Sequence, residues 1–123
     1  MISNKYAEKY EEEGCVEIYT DGGHQKGFAI WEGFFEFLML ACYEENFQSG
    51  GLVDAFCNHS GDESIWEIKN PNAALAELSH FDKNNVGTNY AEIVINTTNL
   101  KDDLIGLFRE AIGKEDKLFV RWD

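Results

Sequence analysis

Only 10 of the 123 residues are Lys or Arg, and none of them lies between Gly27 and Ile68. Nucleic acids are held through their phosphates by clustered cations, so this scarcity argues against a direct nucleic-acid ligand. Proline occurs once, at Pro71, and no Pro- or Ser-rich stretch divides the chain. A single domain over residues 1–123 is therefore expected. The three cysteines, Cys15, Cys42 and Cys57, form an odd, widely spaced set without a CxxC pair. Such a set fits reduced core cysteines in a cytosolic protein better than disulfides or zinc. The longest strongly apolar stretch, residues 34–43, is broken by Glu36 and falls far short of the about 20 residues that a membrane span needs. Residues 1–6 lead into a charged stretch with no apolar signal-peptide core. These features predict no membrane association and a cytoplasmic location.

The motifs of catalysis and ligation are also sparse. Apart from Cys57 beside His59, none of His24, His59 and His80 has a His or Cys partner at the i, i+4 or i, i+2 spacing of a metal pair, so neither a metal nor a cofactor is expected. Residues 21–27 resemble a strand-to-helix turn but lack the GxxxxGK[ST] and GxGxxG spacings that cradle phosphate. Two weak catalytic pairings remain, Cys57 with His59 and Asp21 with His24. A nucleophile and base need a lowered thiol pKa and a third, orienting group. The expectation is a protein that is not an enzyme.

What the chain does contain is apolar, aromatic and acidic. It is 44% hydrophobic and 14% aromatic, outside the disordered range. Residues 15–20, 64–68, 90–95 and 117–122 carry β-prone composition and predict four strands. Trp31, Phe34, Phe35, Leu38, Met39 and Cys42 fall on one helical face and predict a central helix over residues 28–46. Phe37 and Leu40 lie off that stripe, which leaves apolar surface available to a second layer or a partner. Leu52, Val53, Phe56 and Cys57 predict a short helix, and Asn70-Pro71 marks the N-terminus of another over residues 71–81. Asn99 with Asp102 reads as a capping pair for a last helix, whose stripe Leu100, Leu104, Leu107, Phe108 and Ala111 runs to a stop at Gly113. The expected fold is an α+β domain: a mixed or antiparallel sheet of about four strands with three or four helices packed on it.

Charge is the strongest functional signal. The 23 Asp and Glu residues bring the formal net charge to -13, and residues 1–63 hold 13 of them against only 3 Lys and Arg. Glu32, Glu36, Glu44, Glu45, Asp54, Asp62, Glu63 and Glu67 all fall in the cation-free window. Glu32 and Glu36 share a helical face at i, i+4, which costs an isolated helix a few tenths of a kcal/mol. Such a surface either keeps the protein soluble or complements a basic partner, because its field speeds encounter and rejects acidic competitors. Candidate partner contacts are Asp21, Glu32, Glu36, Glu44, Glu45, Asp54, Asp62 and Glu63. Trp31 and Trp66, with Tyr43 and Phe47, are candidate aromatic anchors.

A small, acidic, aromatic-rich chain without catalytic motifs resembles the bacterial immunity proteins of contact-dependent growth inhibition and related polymorphic toxin systems. The resemblance implies a protein that binds a basic toxin domain, often nuclease-like, and blocks its active site or substrate cleft. A small adaptor or self-associating subunit and a small enzyme built on Cys57 and His59 are the competing readings.

Overall fold

The structure, a computed structural model, describes residues 1–22, 25–59 and 64–122. Five strands, β1 (Ile2–Tyr6), β2 (Cys15–Thr20), β3 (Gly27–Trp31), β4 (Ile65–Glu67) and β5 (Leu118–Trp122), form one sheet in the order β1-β3-β2-β5-β4. β1 runs parallel to β3, and the remaining pairs are antiparallel, so the sheet is mixed. Four helices complete the fold: α1 (Glu32–Cys42), α2 (Leu52–Asn58), α3 (Pro71–Ser79) and α4 (Ala91–Lys114). Single turns of 3-10 helix lie at Glu8–Tyr10 and Lys83–Asn85.

Strand alternation sorts the two sheet faces. Val16 and Ile18 of β2 stand opposite Ile30 and Phe28 of β3 and opposite Trp122 and Val120 of β5. This face meets the helices and joins Phe35, Leu38 and Met39 of α1, and Leu100, Leu104 and Phe108 of α4, in one core. Each such fully buried side chain contributes roughly 1.5–3 kcal/mol relative to exposure. The opposite face carries Tyr19 stacked on Phe119 at 5.7 Å, and Arg121 ion-paired to Glu17.

The expected α+β architecture is present, with corrections to its elements. Residues 2–6 form an edge strand where none is expected. Residues 28–31 belong to β3 rather than to the central helix, which begins at Glu32. Phe28 and Ile30 alternate, and their pairing with Ile18 and Val16 in the hairpin outweighs their compatibility with a helical stripe. Residues 90–95 are not a strand; from Ala91 on they open α4, 24 residues long. Their β-branched composition yields to burial, since half-buried Ile93 continues the stripe of buried Thr97, Leu100, Leu104, Leu107, Phe108 and Ala111. Asn99 and Asp102 therefore lie inside a helix and cap nothing. Gly113 lies inside it too; the stop is Glu115, in the left-handed region at φ 58°. Asn70 does cap α3 as expected, its Oδ1 accepting from the Ala73 N–H at 3.1 Å. Among the described residues no helix is long and apolar enough to cross a membrane.

Candidate partner-binding face

α1 buries Phe34, Phe35, Leu38, Met39, Ala41 and Cys42. The same periodicity turns Glu32, Glu36, Leu40 and Tyr43 outward at i, i+4, i+8 and i+11. Leu40 is 54% exposed and Tyr43 is 53% exposed, so the outer stripe runs from two carboxylates to two apolar side chains. That order can hold a basic surface at one end and an apolar anchor at the other.

Trp31 fixes more acid beside this stripe. Its ring stacks on Tyr10 at 3.9 Å and meets Phe34 edge-on at 5.0 Å. The stack holds the turn Glu8–Tyr10 against the start of α1, and the Glu32 N–H donates to the Gly14 carbonyl at 3.0 Å. Exposed Glu11, Glu12 and Glu13, which link Tyr10 to Gly14, are thereby tethered to the end of the helix that bears Glu32 and Glu36. Among the described residues none of these five carboxylates makes an ion pair.

Half of the ten cations are spent elsewhere. Lys5, Lys9, Lys26, Lys101 and Lys114 all pair with carboxylates of α4, namely Asp103, Glu92, Glu110, Asp102 and again Glu110. Burial alone would raise the Asp103 carboxyl, but hydrogen bonds from Lys5 and Tyr6 hold it below the usual range. Lys114 and Lys26 hold Glu110 down to about 2. The charge asymmetry of the sequence thus becomes a neutralised α4 flank and an unneutralised α1 face.

Asp21, Asp54 and Trp66 do not join this face. Asp21 lies beyond the opposite end of β2 and accepts the Lys117 N–H at 2.9 Å. Asp54 accepts from the Gly50 N–H and the Asn58 side chain, each at 2.7 Å. Trp66, on β4, is half-buried against the core. Glu44, just past α1, pairs with His80 at 2.7 Å, while Glu45 is exposed. Asp62 and Glu63 lie outside the described residues, as does His24 of the catalytic alternative. Glu11, Glu12 and Glu13 were not among the sequence candidates, because only the Tyr10–Trp31 stack brings them here.

The cysteines and histidines do not assemble a reaction centre among the described residues. Cys57 is exposed at the end of α2 rather than buried in the core. His59 donates through Nδ1 to the Ala55 carbonyl at 3.0 Å and stacks on Trp122 at 3.8 Å, with no hydrogen bond to Cys57. Burial pushes the Cys42 thiol up to about 12, which keeps it protonated and weakly nucleophilic at neutral pH. No group of three or more His, Cys, Asp or Glu among the described residues is placed to hold a metal ion. Comparison with protein-family models, with curated proteins and with solved structures finds no match to this chain.

Proposed function

We propose that this protein acts by binding, as an immunity protein that occludes the substrate cleft of a basic toxin domain of the nuclease type. The observation that carries the reading is the unneutralised α1 face, where Glu32 and Glu36 adjoin Leu40 and Tyr43. A nuclease cleft must be cationic to hold phosphates, so exposed carboxylates compete for it as charge mimics of the substrate. Leu40 and Tyr43 add desolvated contact, which sustains a complex once it has formed. The protein performs no chemistry of its own in this reading and works in the cytoplasm, where an incoming toxin meets its target.

The test is capture of the tagged chain from its native host at low salt, followed by assay of the captured domain on nucleic acid. The reading expects a basic domain held one-to-one whose nuclease activity is suppressed by an equimolar amount of this protein. A captured domain that stays fully active in the complex overturns it. The exposed side chains Tyr90 and Ile95 favour a second reading, a self-associating subunit, which light scattering separates by the mass of the isolated chain.

A further inference from the structure

Glu77, on α3, is only 8% exposed. Its Oε1 accepts the N–H of Leu52 at 2.8 Å and of Val53 at 3.3 Å, tying α3 to the first turn of α2. Gly51 leaves room for it, because a Cβ there would lie 2.5 Å from Oε1 and displace the carboxyl. Its other oxygen, Oε2, is buried with no hydrogen-bond partner. A buried carboxylate oxygen without a donor is costly, and the cost persists in a native structure only where something offsets it.

Glu77 also lines a cavity of about 90 Å³ whose walls include Cys42, Phe47, Ala73 and Ala76. Glu44 and His80, paired at 2.7 Å and both exposed, line it as well and mark its open side. No Lys or Arg is in the lining. That volume admits ordered water and also suits a short aliphatic chain.

We propose that this cavity receives the side chain of a lysine presented by the basic partner, its ammonium meeting the Glu77 and Glu44 carboxylates. The inference rests on the binding function proposed above and names one contact of it. Lysine fits better than arginine because Glu77 has a single bare oxygen. A point-like ammonium needs only one acceptor, whereas a guanidinium fork is matched by two parallel ones. The apolar walls suit the methylene stem. Burial, with lesser contributions from Asp54 and Glu44, raises the Glu77 carboxyl, and an ammonium would reverse that by stabilising the charged form.

The experiment titrates the full ¹⁵N-labelled chain at neutral pH with n-butylammonium, with n-butanol as its neutral match, and follows the Leu52 and Val53 amides that report on Glu77. Saturable shifts are expected with the ammonium and at least about tenfold weaker binding of the alcohol. Glu77→Gln keeps an oxygen for both amides and is expected to lose about tenfold in affinity. Glu44→Gln, on the exposed rim, tests the site without touching the core and is expected to lose severalfold. Equal response to butanol, undiminished binding in both variants, or no shift at Leu52 and Val53 overturns the proposal. N-acetyl-lysine N-methylamide separates a protein lysine from a free amine: the proposal expects it to bind like butylammonium, and its rejection overturns the partner-lysine assignment. Failure here leaves the acidic α1 face intact, because that face is tested separately through Glu32 and Glu36.

Discussion

Trp31 shows how one side chain here serves structure and site together. Its stack on Tyr10 and its edge contact with Phe34 fasten the 3-10 turn Glu8–Tyr10 to α1, and so set where Glu11, Glu12 and Glu13 stand. Trp31→Ala removes a large, half-buried aromatic surface and is expected to cost about 2–3 kcal/mol, measured by urea unfolding. A loss below about 0.5 kcal/mol would mean that the stack organises nothing. Glu77 supplies a second residue-scale prediction. Burial raises its carboxyl in the folded state above the 4.5 of the free group, so the folded chain holds the proton longer than the unfolded one. The stabilisation is fully present below pH 4.5 and is lost as pH rises through the folded-state value. Glu77→Gln should therefore flatten the decline of stability that sets in as pH rises above 4.5, read as the difference between paired denaturant titrations. Parallel curves for the two proteins would contradict the assignment.

At the scale of elements, α4 ends on a residue that does not suit its conformation. Glu115 adopts φ 58°, where a non-glycine side chain costs roughly 1–2 kcal/mol, while its N–H and that of Asp116 satisfy the Ile112 and Ala111 carbonyls. Glu115→Gly is expected to raise stability by about 1 kcal/mol and the midpoint of thermal unfolding by several degrees. An unchanged or lowered midpoint would show that the strain is relieved elsewhere. The sequence places its stop at Gly113 because glycine is the usual C-terminal residue; the helix continues past it to close its last turn. Local chemistry was legible wherever it decides the outcome: the strand Cys15–Thr20, the Asn70-Pro71 start of α3 and the final strand lie where their residues place them. It misled where distant packing decides. Residues 90–95 have strand composition but follow the buried stripe of α4, and β1 pairs with β3 across an intervening strand in the chain. The outer stripe of α1 was legible through the Glu32 and Glu36 spacing and the off-stripe Leu40. Glu77 was not, because its partners Leu52 and Val53 lie 25 and 24 residues away.

For the molecule as a whole, the decisive property is where the charge is cancelled. Lysines at both ends of the chain converge on α4, and the cation-free middle leaves the α1 face acidic. Uniform acidity would serve solubility alone; a cancelled flank beside an uncancelled face gives the molecule's field a direction, which is what the proposed binding function requires. The same segregation predicts that Glu110, held down by Lys26 and Lys114, keeps its contribution to stability until pH falls through about 2, the loss beginning below 4.5. Lys26→Met with Lys114→Met should shift that acid limb of the stability curve to higher pH, measured by circular dichroism across an acid titration. An unmoved limb would mean that these pairs are fully screened.

The most direct test of the account is the association rate of the captured basic domain with the wild-type chain and with Glu32→Lys/Glu36→Lys, measured by stopped flow from about 50 mM to about 500 mM salt. The account predicts a wild-type rate that falls steeply with salt, and a variant at least about tenfold slower at low salt with a flatter dependence. Equal rates and equal salt slopes for the two proteins would contradict it, because the α1 face would then take no part in the encounter.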